Sequence, residues 1–298
     1  MGQLPGLGGL ARKSKRNLVL WRKIVLVLGL FGAALETLAA SGVGEVESWG
    51  DFNLAAITGF VLLALAAYFG RNVLGGRPEK TWVTARAAAE ALKSEVFKYC
   101  TRISPYDKEE DRDKKLAAAK SRITEHAGSV AVLPDPSKRT GKEAPKDAMS
   151  VEEYIKVRIE DQIDPASGFY WKEARKNQKR VKEFRMLAIA AGALSAVLGG
   201  LGAFGIVGVT IWVAVVTTFS SSFAAYFQAG RYEYLLMSYS ATARRLQDLV
   251  DAWRTKALDA AGFVSKCEAA FASENQSWMA EWLHDKKAGE KPANPQAG

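Results

Sequence analysis

The chain has 298 residues, with 48% hydrophobic and 24% charged side chains and a formal net charge of +9. The length admits two domains of ordinary size. Two histidines, two cysteines and the lack of a CxxC pair give a zinc site or a disulfide framework little to build on. The basic excess is not read as a nucleic-acid footprint, because lysines and arginines crowd the ends of apolar segments, as on the cytoplasmic flanks of membrane spans.

Residues 1–10 are glycine-rich and expected to be disordered. Arg12, Lys13, Lys15, Arg16, Arg22 and Lys23 then lead into the apolar run from Ile24 to Leu35, followed by Glu36. A basic lead and an apolar core also describe a signal peptide. The long lead, the glutamate and the match to an internal hairpin favour a first span over about 24–41. The loop from Ser41 to Asn53 carries Glu45, Glu47 and Asp51 but no lysine or arginine, and Trp49 suits the headgroup level. A second span is placed at about 54–70, with Arg71, Arg77 and Lys80 behind it. The hairpin therefore runs from the cytoplasm out and back in.

Below the membrane, Trp82, Ala85, Ala89, Leu92, Val96 and Tyr99 repeat at intervals of three and four, a heptad-like seam on one helix face. Residues 107–127 read as a solvated helix, and 134–148 as a proline-containing linker. Ser150 and Glu153 form a capping box for a helix with Val151, Tyr154, Ile155, Ile159 and Ile163 on its apolar face, ended at Asp164-Pro165. Lys172, Arg175, Lys176, Lys179, Arg180, Lys182 and Arg185 then precede a third span at about 186–204. The run from Ile206 to Phe227 has 22 residues and no charge. At about 1.5 Å per residue it crosses a core of roughly 30 Å, which makes it the fourth span. A second seam follows at Leu236, Tyr239, Ala243, Leu246, Val250 and Trp253, and Gly262 is expected to break it. A last amphipathic helix carries Val264, Cys267, Phe271, Trp278 and Trp282, and 286–298 is read as a loose tail.

The halves overlay in two blocks. A shift of 163 places Arg12, Trp21, Gly29, Ala33 and Leu35 on Arg175, Phe184, Gly192, Ala196 and Leu198, and a shift of 154 superposes the seams. Both hairpins run in, out and in, so the repeats are parallel and not inverted. The expected fold is an all-α integral membrane protein with four spans in two parallel-repeat hairpins and long amphipathic cytoplasmic helices. Both termini lie in the cytoplasm, in an inner or plasma membrane.

Glu36 belongs to the first copy only, and an ionisable group in a span is expected to face water or a protein interior. It is a candidate for lining a cation path, unless the span ends at Leu35. Thr210, Thr217 and Ser221 share one helix face and either line that path or bond within the helices. Gly29 and Ala33, and the row Gly192, Ala196, Gly200, are read as helix-packing positions. The literal GxGxxG at Gly200–Gly205 follows a membrane helix and not a strand, so it is discarded as a dinucleotide fingerprint. No nucleophile, base and acid occur in a plausible set, and neither an enzyme nor a cofactor is expected.

The hairpin followed by WVTARAAAEALKSEVFKY and YIKVRIEDQID resembles one branch of the SLATT family. The second half, from FYWKEARKNQKRVKEF to RYEYLLMSYSATARRLQDLVDAW and Glu274-Asn275-Gln276-Ser277-Trp278, resembles another. The chain thus reads as a tandem of two SLATT-like domains, 11–164 and 165–285. The resemblance implies two-helix membrane effectors that accompany nucleotide-sensing and nucleotide-making modules in bacterial conflict and act as pores. It departs from the commoner arrangement in that no such module is read here. The expectation is an oligomeric pore or channel, gated through cytoplasmic helices by a nucleotide signal or a sensor protein. The alternative is a non-conducting scaffold that recruits a cytoplasmic partner.

Overall fold

The computed structural model describes residues 5–41, 53–72, 77–126, 148–205 and 208–289, and it is helical throughout apart from turns. The outer loop around Trp49, the linker 134–147 and residues 290–298 lie outside the described residues, as do the side chains of Trp82, Thr210 and Trp282. Two compact units emerge, and each draws on both halves of the sequence. One is built mainly from Arg77–Ala174 and the segment from Met237 on, the other from Arg16–Gly76 and Arg175–Leu236.

The second of these holds the apolar helices. α1 spans Pro5–Ser41 and α2 spans Leu54–Asn72. α1 begins inside the stretch expected to be disordered. Proline suits a first helical turn, since its missing N–H has no partner there anyway. Asn53 caps α2, its side-chain oxygen accepting from the N–H groups of Ala55 and Ala56, each at 3.1 Å. α7, Phe169–Ala203, is one helix of 35 residues, so the basic segment and the third apolar run are continuous. The expected turn at Gly199–Gly205 moves toward the C-terminus. The helix runs to Ala203, and Gly205 and Gly208 beyond it take the left-handed conformation. α8, Val209–Gly230, follows without a charged side chain.

Among the described residues, three segments are long and apolar enough to cross a membrane by length and composition: Arg16–Ala40, Leu54–Asn72 and Phe169–Ala203. Phe31, Phe60, Met186, Ile189 and Val197 are all exposed there. In water that surface would be costly, whereas hydrocarbon solvates it.

The other unit has an ordinary core. α3, Arg77–Cys100, packs against α10, Ala260–Gly289, and against α4, Arg112–His126. Between α4 and α7 a short strap consists of α5, Val151–Tyr154, a π-helical stretch, Ile155–Glu160, and α6, Asp161–Ile163. Its start carries the expected capping box, Glu153 N–H to Ser150 Oγ at 3.2 Å and Ser150 N–H to Glu153 Oε2 at 3.0 Å. Its end turns on Asp164, whose Oδ1 accepts from the N–H groups of Ala166 and Ser167 at 3.1 and 2.7 Å. A Cβ on Gly168 would lie 2.5 Å from the Asp164 backbone nitrogen, so only glycine fits where the strap meets α7.

α9, Tyr232–Arg254, lays its seam into this core. The break expected at Gly262 falls earlier. Lys256 takes the left-handed conformation at φ 57°, and Asp259 caps α10 by accepting the Gly262 N–H at 3.0 Å. Gly262 is therefore the third residue of a new helix, and the capping aspartate marks the boundary.

Candidate functional site

In the apolar unit the closest helix approach is between α1 and α2. A Cβ on Gly32 would meet Leu63 Cγ at 2.8 Å and the Gly59 carbonyl oxygen at 3.0 Å. One on Gly59 would meet Glu36 Cγ, Glu36 N and the Gly32 oxygen, each at 3.0 Å. The ring centroids of Trp21 and Phe69 lie 5.0 Å apart toward the basic end of the hairpin. At Gly29, a position read as helix packing, nothing lies within 4 Å of a Cβ among the described residues. The same holds for Gly192 and Gly200, and Ala196 is exposed, so among the described residues this row packs against no neighbour. Ala33 is half-buried, and its carbonyl accepts from Thr37 Oγ1 at 2.8 Å.

Glu36 lies within α1, five residues before its end at Ser41, and its stem rests against α2 at Gly59. Thr217 and Ser221 are exposed on α8. Their hydroxyls donate to their own helix, Thr217 to the Val213 carbonyl at 2.8 Å and Ser221 to that of Thr217. The hairpins meet at the basic ends of their helices. Arg22 Nη1 donates to the Ala229 carbonyl at 3.0 Å, near the C-terminus of α8, where a cation is favoured. Phe184 and Phe227 stack there at 4.0 Å, and the Arg180 guanidinium lies 4.9 Å from the Tyr232 ring centroid.

The densest chemistry is in the other unit, as one buried ion pair and one in which a buried carboxylate meets a half-buried arginine. Arg158, from the π-helical stretch, donates through Nε and Nη2 to the two oxygens of Glu268 at 3.1 and 3.2 Å. Tyr154 donates its hydroxyl to the same carboxylate at 2.8 Å. Arg158 also stands 3.6 Å from Glu90 on α3. Its guanidinium lies 4.2 Å from the Phe271 ring centroid and 5.0 Å from that of Phe97. This pair is well satisfied, and Glu268 has no side-chain exposure. Burial works against the charge on Arg158, but Glu268 and Glu90 outweigh it and hold its pKa above the ordinary arginine value. Burial beside Glu268 drives the Tyr154 hydroxyl far up and raises the Cys267 thiol to about 12, so that thiol is inert.

The second pair joins Arg86 on α3 to Glu274 on α10 at 3.6 Å, with Arg86 4.6 Å from the Trp278 ring centroid. Arg86 also interacts electrostatically with the Tyr239 hydroxyl of α9. Tyr170, in the first turn of α7, completes the cluster. Its ring lies 5.9 Å from that of Tyr239 and stacks on Phe271 at 6.3 Å. Here satisfaction is incomplete, because Glu274 Oε1 and Asn275 Oδ1 are buried without a hydrogen bond. Burial pushes the Glu274 carboxyl up against the pull of Arg86.

Of the seam residues, Leu92, Tyr239, Leu246 and Val250 are buried, while Val96, Tyr99 and Trp253 are half-buried. Leu236 is half-buried and falls in the apolar unit. The pairing of the four charged residues escaped the sequence reading, although a signal was present for three of them. Arg158 stands four residues after Tyr154, Glu268 four after Val264, and Glu274 three after Phe271, each on an apolar stripe. A charge on such a stripe points to a buried partner.

Among known proteins, neither a curated protein nor a solved structure matches the chain. Residues 154–278 match the family model described as SMODS and SLOG-associating 2TM effector domain 1, and residues 9–114 match that of DUF4231, a protein of unknown function. The Arg86–Glu274 pair and the Arg158–Glu90 contact span the two matches, since Arg86 and Glu90 come from the first segment and Arg158 and Glu274 from the second, whereas the Arg158–Glu268 pair lies wholly within the second. The second half of the chain is thus similar to a two-span SLATT effector domain, a kind associated with bacterial conflict and defence, and its partner in the folded unit comes from the DUF4231-like half.

Proposed function

We propose that the protein is a four-span membrane effector of bacterial defence, a pore or ion channel built from several copies and gated through cytoplasmic helices. The carrying observation is that α7 is a single helix whose first turn, with Tyr170, is part of the ion-pair core, while its later turns form an apolar span. A rearrangement of that core therefore acts directly on a membrane helix. The uncharged α8 is taken as the fourth span, which fits the two-span description of the matched domain. The two hairpins are read as a parallel repeat, with termini and basic flanks in the cytoplasm. Two hairpins enclose too little for a broad path, so several chains assemble around an axis, and the exposed Gly192, Ala196, Gly200 row is a surface for that contact. The trigger is a nucleotide signal or a sensor protein, and the mechanism is passive flow without bond chemistry. Glu36, Thr210, Thr217 and Ser221 are the groups proposed to meet the path.

A second reading, a non-conducting scaffold that recruits a partner, draws on the hydroxyls of Thr217 and Ser221, which are turned to their own backbone. The test is cation flux from dye-loaded liposomes containing the full chain, with Glu36→Gln and Thr217→Val beside the wild type. Flux that either substitution changes supports the path. Tight liposomes with every candidate nucleotide favour the scaffold.

A further inference from the structure

Two ion pairs hold the same unit, and they are not equivalent: Arg158 and Glu268 are both buried, whereas buried Glu274 faces a half-buried Arg86. The Arg158–Glu268 pair has two Arg158 hydrogen bonds, a third from Tyr154, and rings on the guanidinium. In the Arg86–Glu274 pair the guanidinium, with the Trp278 ring 4.6 Å away, stands 3.6 Å from Glu274 Oε1, and that buried oxygen has no hydrogen bond. A buried pair repays its desolvation only when its geometry is good and its remaining lone pairs are satisfied. The Arg86 pair is therefore the one closer to balance, and the one a modest perturbation breaks first.

Its position matters as much as its weakness. Arg86 lies on α3, which follows α2; Tyr170 opens α7, which runs on as an apolar span; and Tyr239 lies on α9, which follows α8. Three helices that adjoin or continue into the apolar segments α2, α7 and α8 thus meet at one under-satisfied ion pair. The saturated pair instead joins the strap, α3 and the first half of α10.

We propose that Arg86–Glu274 is a latch that positions the first turn of α7 and the start of α9, and that its release frees those turns while the Arg158–Glu268 half of the unit stays folded. The latch depends on the preceding reading only where the released state is equated with an open path. Arg86 and Glu274 are positioning residues that act through Tyr170 and Tyr239.

The experiment is amide hydrogen exchange on the full chain in lipid nanodiscs, paired with liposome flux. Arg86→Met is expected to speed exchange about tenfold or more in 169–174 and 237–243 and to leave 154–163 and 263–268 protected. Arg86→Met/Glu274→Leu, which removes both charges, is expected to restore protection, a rescue that simple loss of packing would not give. Arg158→Met, the comparison, accelerates 154–163. An unchanged pattern in Arg86→Met overturns the latch, as does uniform acceleration across the unit or a double variant no better than the single. If exchange is local and flux rises, both readings stand. If exchange is local and the liposomes stay tight, the latch stands and the conducting path falls.

Discussion

Substitution of Arg158 by methionine strands a carboxylate in the core. Glu268 is wholly buried and accepts three hydrogen bonds, two of them from Arg158 at 3.1 and 3.2 Å. In Arg158→Met only the Tyr154 hydroxyl is left to it. Breaking a buried pair from one side costs about 3–5 kcal/mol, because the surviving charge is uncompensated. For a unit of this size 1 kcal/mol moves Tm by about 2–4 °C, so a fall of roughly 6–20 °C is expected. The assay is thermal unfolding of the full chain in mild detergent, followed by tryptophan fluorescence. Arg158→Met/Glu268→Leu removes both charges and is expected to recover most of the loss, which gives a large coupling energy in the double-mutant cycle. A fall below about 2 °C in the single variant, or additive losses in the double, would refute the account of the pair.

Other outcomes follow from the same contacts. Gly59→Ala inserts a methyl 3.0 Å from Glu36 and Gly32 backbone atoms and is expected to lower Tm. Gly29→Ala, in open space, is expected to leave it unchanged or raise it, since alanine gains about 1 kcal/mol of helix propensity; equal effects would contradict the crossing. Asp259→Ala removes the cap of α10 and is expected to cost about 1 kcal/mol in denaturant unfolding, while Asp259→Asn retains most of it. Glu90 is under opposing influences: burial disfavours its charge, but Lys93 and Arg158 outweigh burial and hold its pKa below the ordinary 4.5. Its contribution is therefore present above pH 4.5 and is lost as pH falls through the depressed value. Glu90→Gln is expected to flatten that acid limb, and an unchanged limb would show that the pair does not set it.

The helices were legible because their causes are local. Uncharged runs with basic flanks define the apolar helices, the three-and-four spacing defines the seams, and Ser150 with Glu153 marks the strap. Contacts were less legible, since they depend on how one helix is rotated against another. Gly29 and Gly32 look alike in sequence, but only Gly32 faces Gly59 and Leu63. The π-helical stretch has no pattern that announces it, although both Arg158 and Ile159 turn inward on it. The charged centre was hidden for a further reason. Arg86 and Glu274 are each half of a pair whose members lie far apart in sequence, so neither identifies its partner.

The most direct test of the conducting path is current across a planar lipid bilayer containing Arg86→Met, the variant expected to hold the latch open. The account predicts discrete conductance steps, and a cation preference that shifts when Glu36→Gln is added. A bilayer that stays electrically silent, with the protein inserted and its α7 and α9 turns exchanging freely, would contradict it.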